Sequence, residues 1–221
     1  MISRTRTFED GEVIKKLPTV DPLDRNKTAL THKITALACA YLSSVGCKPV
    51  ETEIPFGGFI LDVGSFAYPT MTELKNSKLL KTLYPELSGN HNAQYNRFFQ
   101  DYGPLLTFAA EVKTSLSDFK KDLGRKYSQD FSYSTVGAHL CYLAVPKLLQ
   151  EEANKVLRWG KIICSDDGEH ILKATPPSWI LAMHPKDIID FIAQVAIRRD
   201  HRTKHRAMRD FLKTYRAKGG V

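Results

Sequence analysis

An α/β fold, with a mixed central sheet and helices on its faces, is what this 221-residue sequence predicts. Two observations predict it. Short apolar runs of β-compatible residues, "LLTFAAEVK" and "AHLCYLAVP", read as buried strands, and segments of helical period stand between and around such runs. The resulting order is helix, strand, strand, insertion, strand, helix, strand, then a hairpin and a final helix, which suits a sheet covered by helices.

Each element has its own signal. Residues 1–24 carry Pro18 and Pro22 with little periodicity and read as an extended arm. From Asn26 to Val45 the apolar positions Leu30, Ile34, Leu37, Ala38, Tyr41, Leu42 and Val45 keep a helical period, and Gly46 supplies the stop. "VETEIPFGGFILDVGSFAY" reads as two strands around Gly57-Gly58, the second running from Phe59 to Val63 with Asp62 near its end. Residues 67–104 are polar and helix-prone, a helical insertion between two core strands. After "LLTFAAEVK" a helix starts at once, Ser115 and Asp118 forming a capping-box-like entry and Leu116, Phe119, Leu123 and Tyr127 one apolar stripe. "AHLCYLAVP" is ended by Pro146, and "GKIICSDDGEHILKA" holds two β-runs around the hairpin signal Asp167-Gly168. The last helix runs from about Lys186 to Lys218. The division expected is an arm (1–24), a core (25–180) with its insertion at 67–104, and a basic C-terminal helical extension (181–221).

Composition bounds the function. Hydrophobic residues at 43% and charged residues at 25% are those of an ordinary globular protein, so activity must come from particular sites. Cys39, Cys47, Cys141 and Cys164 are scattered and form no C-x-x-C, which suits small buried hydrophobes rather than a metal or disulfide role. No stretch approaches the roughly 18 apolar residues of a membrane span, and the polar N-terminus lacks a signal core. A reducing cytoplasm is the compartment expected, with no membrane partner. The net charge of +8 is unevenly placed: residues 198–221 hold nine Lys or Arg against two Asp, a surplus of seven that leaves one for everything before. A cationic C-terminal helix is what a protein that meets a polyanion carries, although a solubilising tail has the same composition. Arg198, Arg199, Arg202, Lys204, Arg206 and Arg209 are the candidate phosphate contacts, joined by Arg97 in the insertion.

Glu111 and Lys113 pose the chemical question. Alternation along a strand sends both to one face with Val112 turned away, and buried charges require pairing or a metal. A structural ion pair explains such a triplet by itself. Asp62, in the strand "FILDVG", adds a second carboxylate that a neighbouring strand brings to the same end of the sheet. Two carboxylates hold Mg²⁺ while leaving positions for waters and phosphate oxygens, and the lysine then orients or polarises an attacking water.

At these residues the chain resembles a family. The order helix, Asp-bearing strand, E-x-K strand, helix, strand is similar to that of the PD-(D/E)XK nuclease superfamily. "EVKTSLSDFKKD" followed by "HLCYLAVPK" resembles its MmcB-like DNA-repair branch, over roughly Asn26 to Lys147. The resemblance implies a restriction-endonuclease-like sheet and a Mg²⁺-dependent deoxyribonuclease, endonuclease rather than exonuclease, with Mn²⁺ as a substitute. It implies Asp62 and Glu111 as metal ligands, Lys113 as the water-activating residue, Glu53 as an additional acid, and Asp118, Asp122 and Lys126 on the helix face bordering the site. DNA is the partner expected, in a homodimer, in a larger complex or alone. A non-catalytic nucleic-acid-binding module on the same fold, or a nuclease-like subunit docked on an acidic protein, is the alternative.

Three other motifs have simpler readings. "GNHN" (89–92) lacks the rest of a ββα-metal unit, and His201 and His205 enclose no glutamate. The "SDDGEH" carboxylates are explained by a hairpin turn. The insertion aromatics Tyr84, Tyr95, Phe98, Phe99 and Tyr102 either stack on bases or pack in the core.

Overall fold

The computed structural model describes residues 27–56, 59–67, 84–102, 105–123, 138–177 and 185–217. The arm (1–24), Lys126, Tyr127 and residues 68–83 of the insertion lie outside them, as does the side chain of Arg209.

The chain is α/β, with one six-stranded mixed sheet of order β1-β2-β3-β4-β5-β6 and, among the described residues, five α-helices. Helix α1 (Ala29–Ser44) is capped by Thr28, whose hydroxyl accepts Thr31 N–H at 3.2 Å, and is stopped at Gly46, whose φ of 92° a side chain would resist. Strands β1 (Val50–Phe56) and β2 (Phe59–Ala67) form an antiparallel hairpin. After α2 (His91–Tyr102) comes β3 (Leu106–Val112), which pairs antiparallel with β2. Strand β2 therefore runs four residues beyond its predicted end at Val63. "GSFA" has little strand propensity, but it is bonded on both sides, Ser65 opposite both Val50 and Phe108, and pairing overrides propensity.

Two parallel pairings follow, β3 with β4 (Leu140–Pro146) and β4 with β5 (Gly160–Cys164), and β6 (Ile171–Thr175) closes antiparallel on β5. The crossover from β3 to β4 contains α3 (Leu116–Leu123), and that from β4 to β5 contains α4 (Gln150–Asn154). The β5/β6 turn needs its glycine. Gly168 has φ 71°, and a Cβ there would lie 2.9 Å from Lys33 Cβ on α1.

The sheet buries two apolar layers. On one face Phe108, Ala110, Val112, Tyr142 and Ile162 pack under α1 and α2; on the other, Ala109, Leu143, Val145 and Ile163 pack under Phe119 of α3, Ala153 of α4 and Phe191 and Val195 of α5 (Pro185–Ala217). Four of the insertion aromatics belong to the first layer, Phe98 and Tyr84 buried in it and Tyr95 and Phe99 against it; the side chain of Tyr102 lies outside the described residues. Within helix α5, Phe191 and Val195 are fully buried against the sheet, where the β1/β2 hairpin at its edge needs a cover.

Candidate active site

Glu111 and Lys113 follow Ala109 on its side of β3, the face under α3 and α5. Asp62 is the fourth residue of a nine-residue strand, not its end. It still arrives beside Glu111 because β2 runs antiparallel to β3: the ladder reaches Val63 opposite Ala110, and one more step sets Asp62 opposite Glu111. There the side chain substitutes for backbone, Asp62 Oδ2 accepting Val112 N–H at 2.8 Å.

Lys113 stands just past β3, its N–H continuing the parallel ladder to Ala144 O at 3.0 Å. Its side chain is only 7% exposed, and its Nζ lies 2.9 Å from Asp122, 3.1 Å from Asp118 and 3.9 Å from Glu111. Asp118 and Asp122 are four apart on α3 and so share a face, which the Ser115 cap orients by accepting Asp118 N–H at 3.2 Å. Burial works to lower the Lys113 pKa, but the Asp122 hydrogen bond and the charges of Glu111, Asp122 and Asp118 outweigh it and hold the pKa above the usual lysine range.

A residue that local sequence patterns do not single out completes the cluster. Lys27 Nζ lies 2.7 Å from Asp62 Oδ1 and 3.9 Å from Glu53 Oε1. A cation directly before a helix start opposes the helix dipole, which the Asp62 carboxylate at 2.7 Å offsets. Beside it, Thr31 of α1 and Thr114 before α3 touch through their hydroxyls at 3.1 Å.

Glu53 is held at φ 57°, a region a glutamate adopts only under constraint. Across this pair of strands the sidedness changes, Val63 joining the α1 layer while Leu61 and Ile54 join the α5 layer. Arg198 of α5 secures the bend with NH2 at 2.8 Å from Glu53 and Nε at 3.2 Å from Thr52 O. One turn on, Arg202 bonds Thr52 Oγ1 and stands 3.4 Å from Glu51. Burial raises the Glu51 pKa, against the pull of Arg202 and its neighbours. Two of the predicted phosphate contacts, Arg198 and Arg202, are thus bound to the protein's own β1. Arg199 and Arg206 are on the outer part of α5, Lys204 is exposed and paired with Asp200 at 2.7 Å, and Arg97 is exposed and paired with Asp101 at 3.2 Å.

No family model matches the chain, and no curated protein matches it. A solved structure of a protein of unknown function from Silicibacter pomeroyi is similar at 16% identity, with a TM-score of 0.44, over 76% of this chain and 84% of that one. A likeness of that degree says nothing of what the chain does.

Among the described residues no three His, Cys, Asp or Glu converge as a metal cage, and no helix is long and apolar enough to cross a membrane. The donor set does fit a hard divalent cation of the kind that one or two carboxylates hold while waters and phosphates complete the shell. Glu111, Asp118 and Asp122 surround Lys113, and Glu53 and Asp62 meet Lys27 with Arg198 on Glu53, so acids outnumber cations in these two neighbouring sets. The Lys27 ammonium marks where positive charge is drawn. "GNHN" is instead a helix entry, Asn90 Oδ1 accepting Ala93 N–H at 3.0 Å, and in "SDDGEH" Ser165 and Asp167 bind the turn's own N–H groups.

Proposed function

We propose that the chain is a metal-dependent nuclease of the PD-(D/E)XK type acting on DNA, with Asp62 and Glu111 as the metal-holding carboxylates and Lys113 as the cation beside them. The observation that carries this reading is the convergence of Asp62 and Glu111 on adjoining strands with a lysine kept protonated on the same face. The element order is compatible with it: a helix, the Asp62 strand, the Glu111 strand, a helix and a further strand come in the sequence that the resemblance has.

The residues divide the work. A bound Mg²⁺ supplies charge neutralisation at the phosphate and a water acidic enough to attack at neutral pH. Asp62 is oriented by Val112 N–H at Oδ2, which leaves Oδ1, the oxygen that meets Lys27, as the one for coordination. Lys113, with Asp122, Asp118 and Glu111 around its amine, is placed to orient water or a phosphate oxygen. The exposed cations of α5 supply sequence-independent attraction to the DNA backbone.

The test is a cleavage screen over duplex, single-stranded and forked DNA and RNA with Mg²⁺ or Mn²⁺. Asp62→Ala, Glu111→Ala and Lys113→Ala are run beside thermal melts. Each variant is expected to lose several orders of magnitude of cleavage, as loss of a metal ligand or its neighbouring cation does. Full cleavage in EDTA, or in Glu111→Ala, overturns the proposal. Lys27 on Asp62 favours a second reading, a nucleic-acid-binding module whose carboxylates are internally neutralised. DNA binding without cleavage under either metal establishes that one.

A further inference from the structure

Lys27 is used by no step above, yet it holds the very oxygen assigned to the metal. Its ammonium lies 2.7 Å from Asp62 Oδ1, while Asp62 Oδ2 is fixed separately by Val112 N–H. An ammonium seated on Oδ1 takes up one of its lone pairs and repels a divalent cation arriving at the same oxygen, so the two compete for it. Lys27 also has a second acid within reach, Glu53 Oε1 at 3.9 Å. Glu53 is kept there by a constrained backbone at φ 57° and by Arg198 at 2.8 Å from its other oxygen.

From this arrangement we infer that Lys27 is an internal competitor for the metal, holding Asp62 Oδ1 and passing to Glu53 when a divalent cation takes that oxygen. The inference rests on the reading of Asp62 as a metal ligand and extends it. It gives Glu53 a role that needs no direct coordination: it receives the displaced ammonium, so that no charge is stranded when the metal enters. It also explains why Glu53 is anchored by α5. An acid that must accept Lys27 after the exchange has to keep its position before it, and Arg198 and the β1 backbone hold it. Because Oδ2 remains on Val112 N–H, the exchange frees one oxygen and leaves the carboxylate in place.

Mn²⁺ titration of the full chain, followed by the electron paramagnetic resonance of the free ion, tests this without reference to cleavage. Lys27→Met is expected to bind Mn²⁺ on the order of tenfold more tightly than wild type, the factor a charge-assisted hydrogen bond corresponds to once its exchange with water is allowed for. Lys27→Gln, which keeps a hydrogen bond and loses the charge, shows a smaller gain and serves if Lys27→Met does not fold. Arg198→Met removes an equal charge from the cluster without touching Asp62, and it gains much less than Lys27→Met. Asp62→Asn abolishes binding. Equal affinity in wild type and Lys27→Met, with Asp62→Asn still defective, overturns the competitor and leaves the metal reading intact. Equal gains in Lys27→Met and Arg198→Met reduce Lys27 to general charge and also overturn it. Absence of Mn²⁺ binding in every form removes the metal reading and the inference together.

Discussion

Replacing Lys113 by methionine withdraws the cation that Glu111, Asp118 and Asp122 share. Glu111 is 1% exposed and Asp122 13%, so water cannot replace the lysine there, whereas Asp118 at 52% is readily solvated. Removing one partner of a buried ion pair costs about 3–5 kcal/mol. The 3.9 Å separation from Glu111 is long and the 2.9 Å contact falls on Asp122, which sets the expected cost near the lower figure, about 3 kcal/mol. In a chain of this length each kcal/mol moves the melting temperature by about 2–4 °C, so Lys113→Met should melt roughly 6–12 °C below wild type. Adding Glu111→Gln neutralises the more deeply buried acid and should restore about 1–2 kcal/mol, the coupling expected of residues in one network. Urea and thermal unfolding of wild type, both single variants and the double variant at pH 7 close the cycle. The raised Lys113 pKa sets the pH range of the effect. A native-state pKa above the ordinary 10.5 stabilises fully below 10.5, and that stabilisation disappears as pH rises through the native value, so the deficit is constant between about pH 7 and 9. A melt of Lys113→Met within about 2 °C of wild type, or strictly additive single variants, would refute the reasoning.

Burial lowers the His139 pKa from 6.5 to about 4, and its Nδ1 accepts Thr107 N–H at 3.2 Å, so folding excludes the proton that the unfolded chain takes up. Stability is therefore full above about pH 6.5 and falls by about 3 kcal/mol as pH drops to about 4, and urea midpoints across that window should be steeper in wild type than in His139→Asn. On α5, Arg199→Glu and Arg206→Glu should each flatten the salt dependence of duplex binding by about 0.9 in log–log slope for every phosphate the side chain no longer neutralises. Arg198→Ala, whose guanidinium is committed to Glu53, should instead lower the melting temperature and leave that slope unchanged. In the insertion, Phe98→Ala should cost about 3–5 kcal/mol of stability, as emptied aromatic sites do. Arg97→Ala, which gives up one exposed pair with Asp101, should cost less than about 0.5 kcal/mol, and a larger effect would place Arg97 in the core.

What the sequence determined by itself is what depends on neighbours within a few residues. Alternation along β3 was enough to put Glu111 and Lys113 on one face, helical spacing to set Asp118 and Asp122 toward the same side of α3, and Asp167-Gly168 to close the β5/β6 hairpin. The order of elements carried the α/β class in the same way. What only the tertiary structure decided depends on contacts between distant parts of the chain. Asp62 reaches Glu111 because β2 runs antiparallel to β3, a register that no local pattern at "FILDVG" encodes. Lys27 finds Asp62 35 residues away, and Arg198 finds Glu53 145 residues away, so a stretch of arginines that looks uniformly cationic in sequence includes two bound to β1, Arg198 and Arg202, and two left exposed, Arg199 and Arg206. The same holds for Tyr84 and Phe98 of the insertion, which are buried in the α1 layer with Tyr95 and Phe99 packed against it. Periodicity reports which face of an element a residue occupies; the partner on that face is set by the energy of burying charges and rings together, which exists only once the chain has closed on itself.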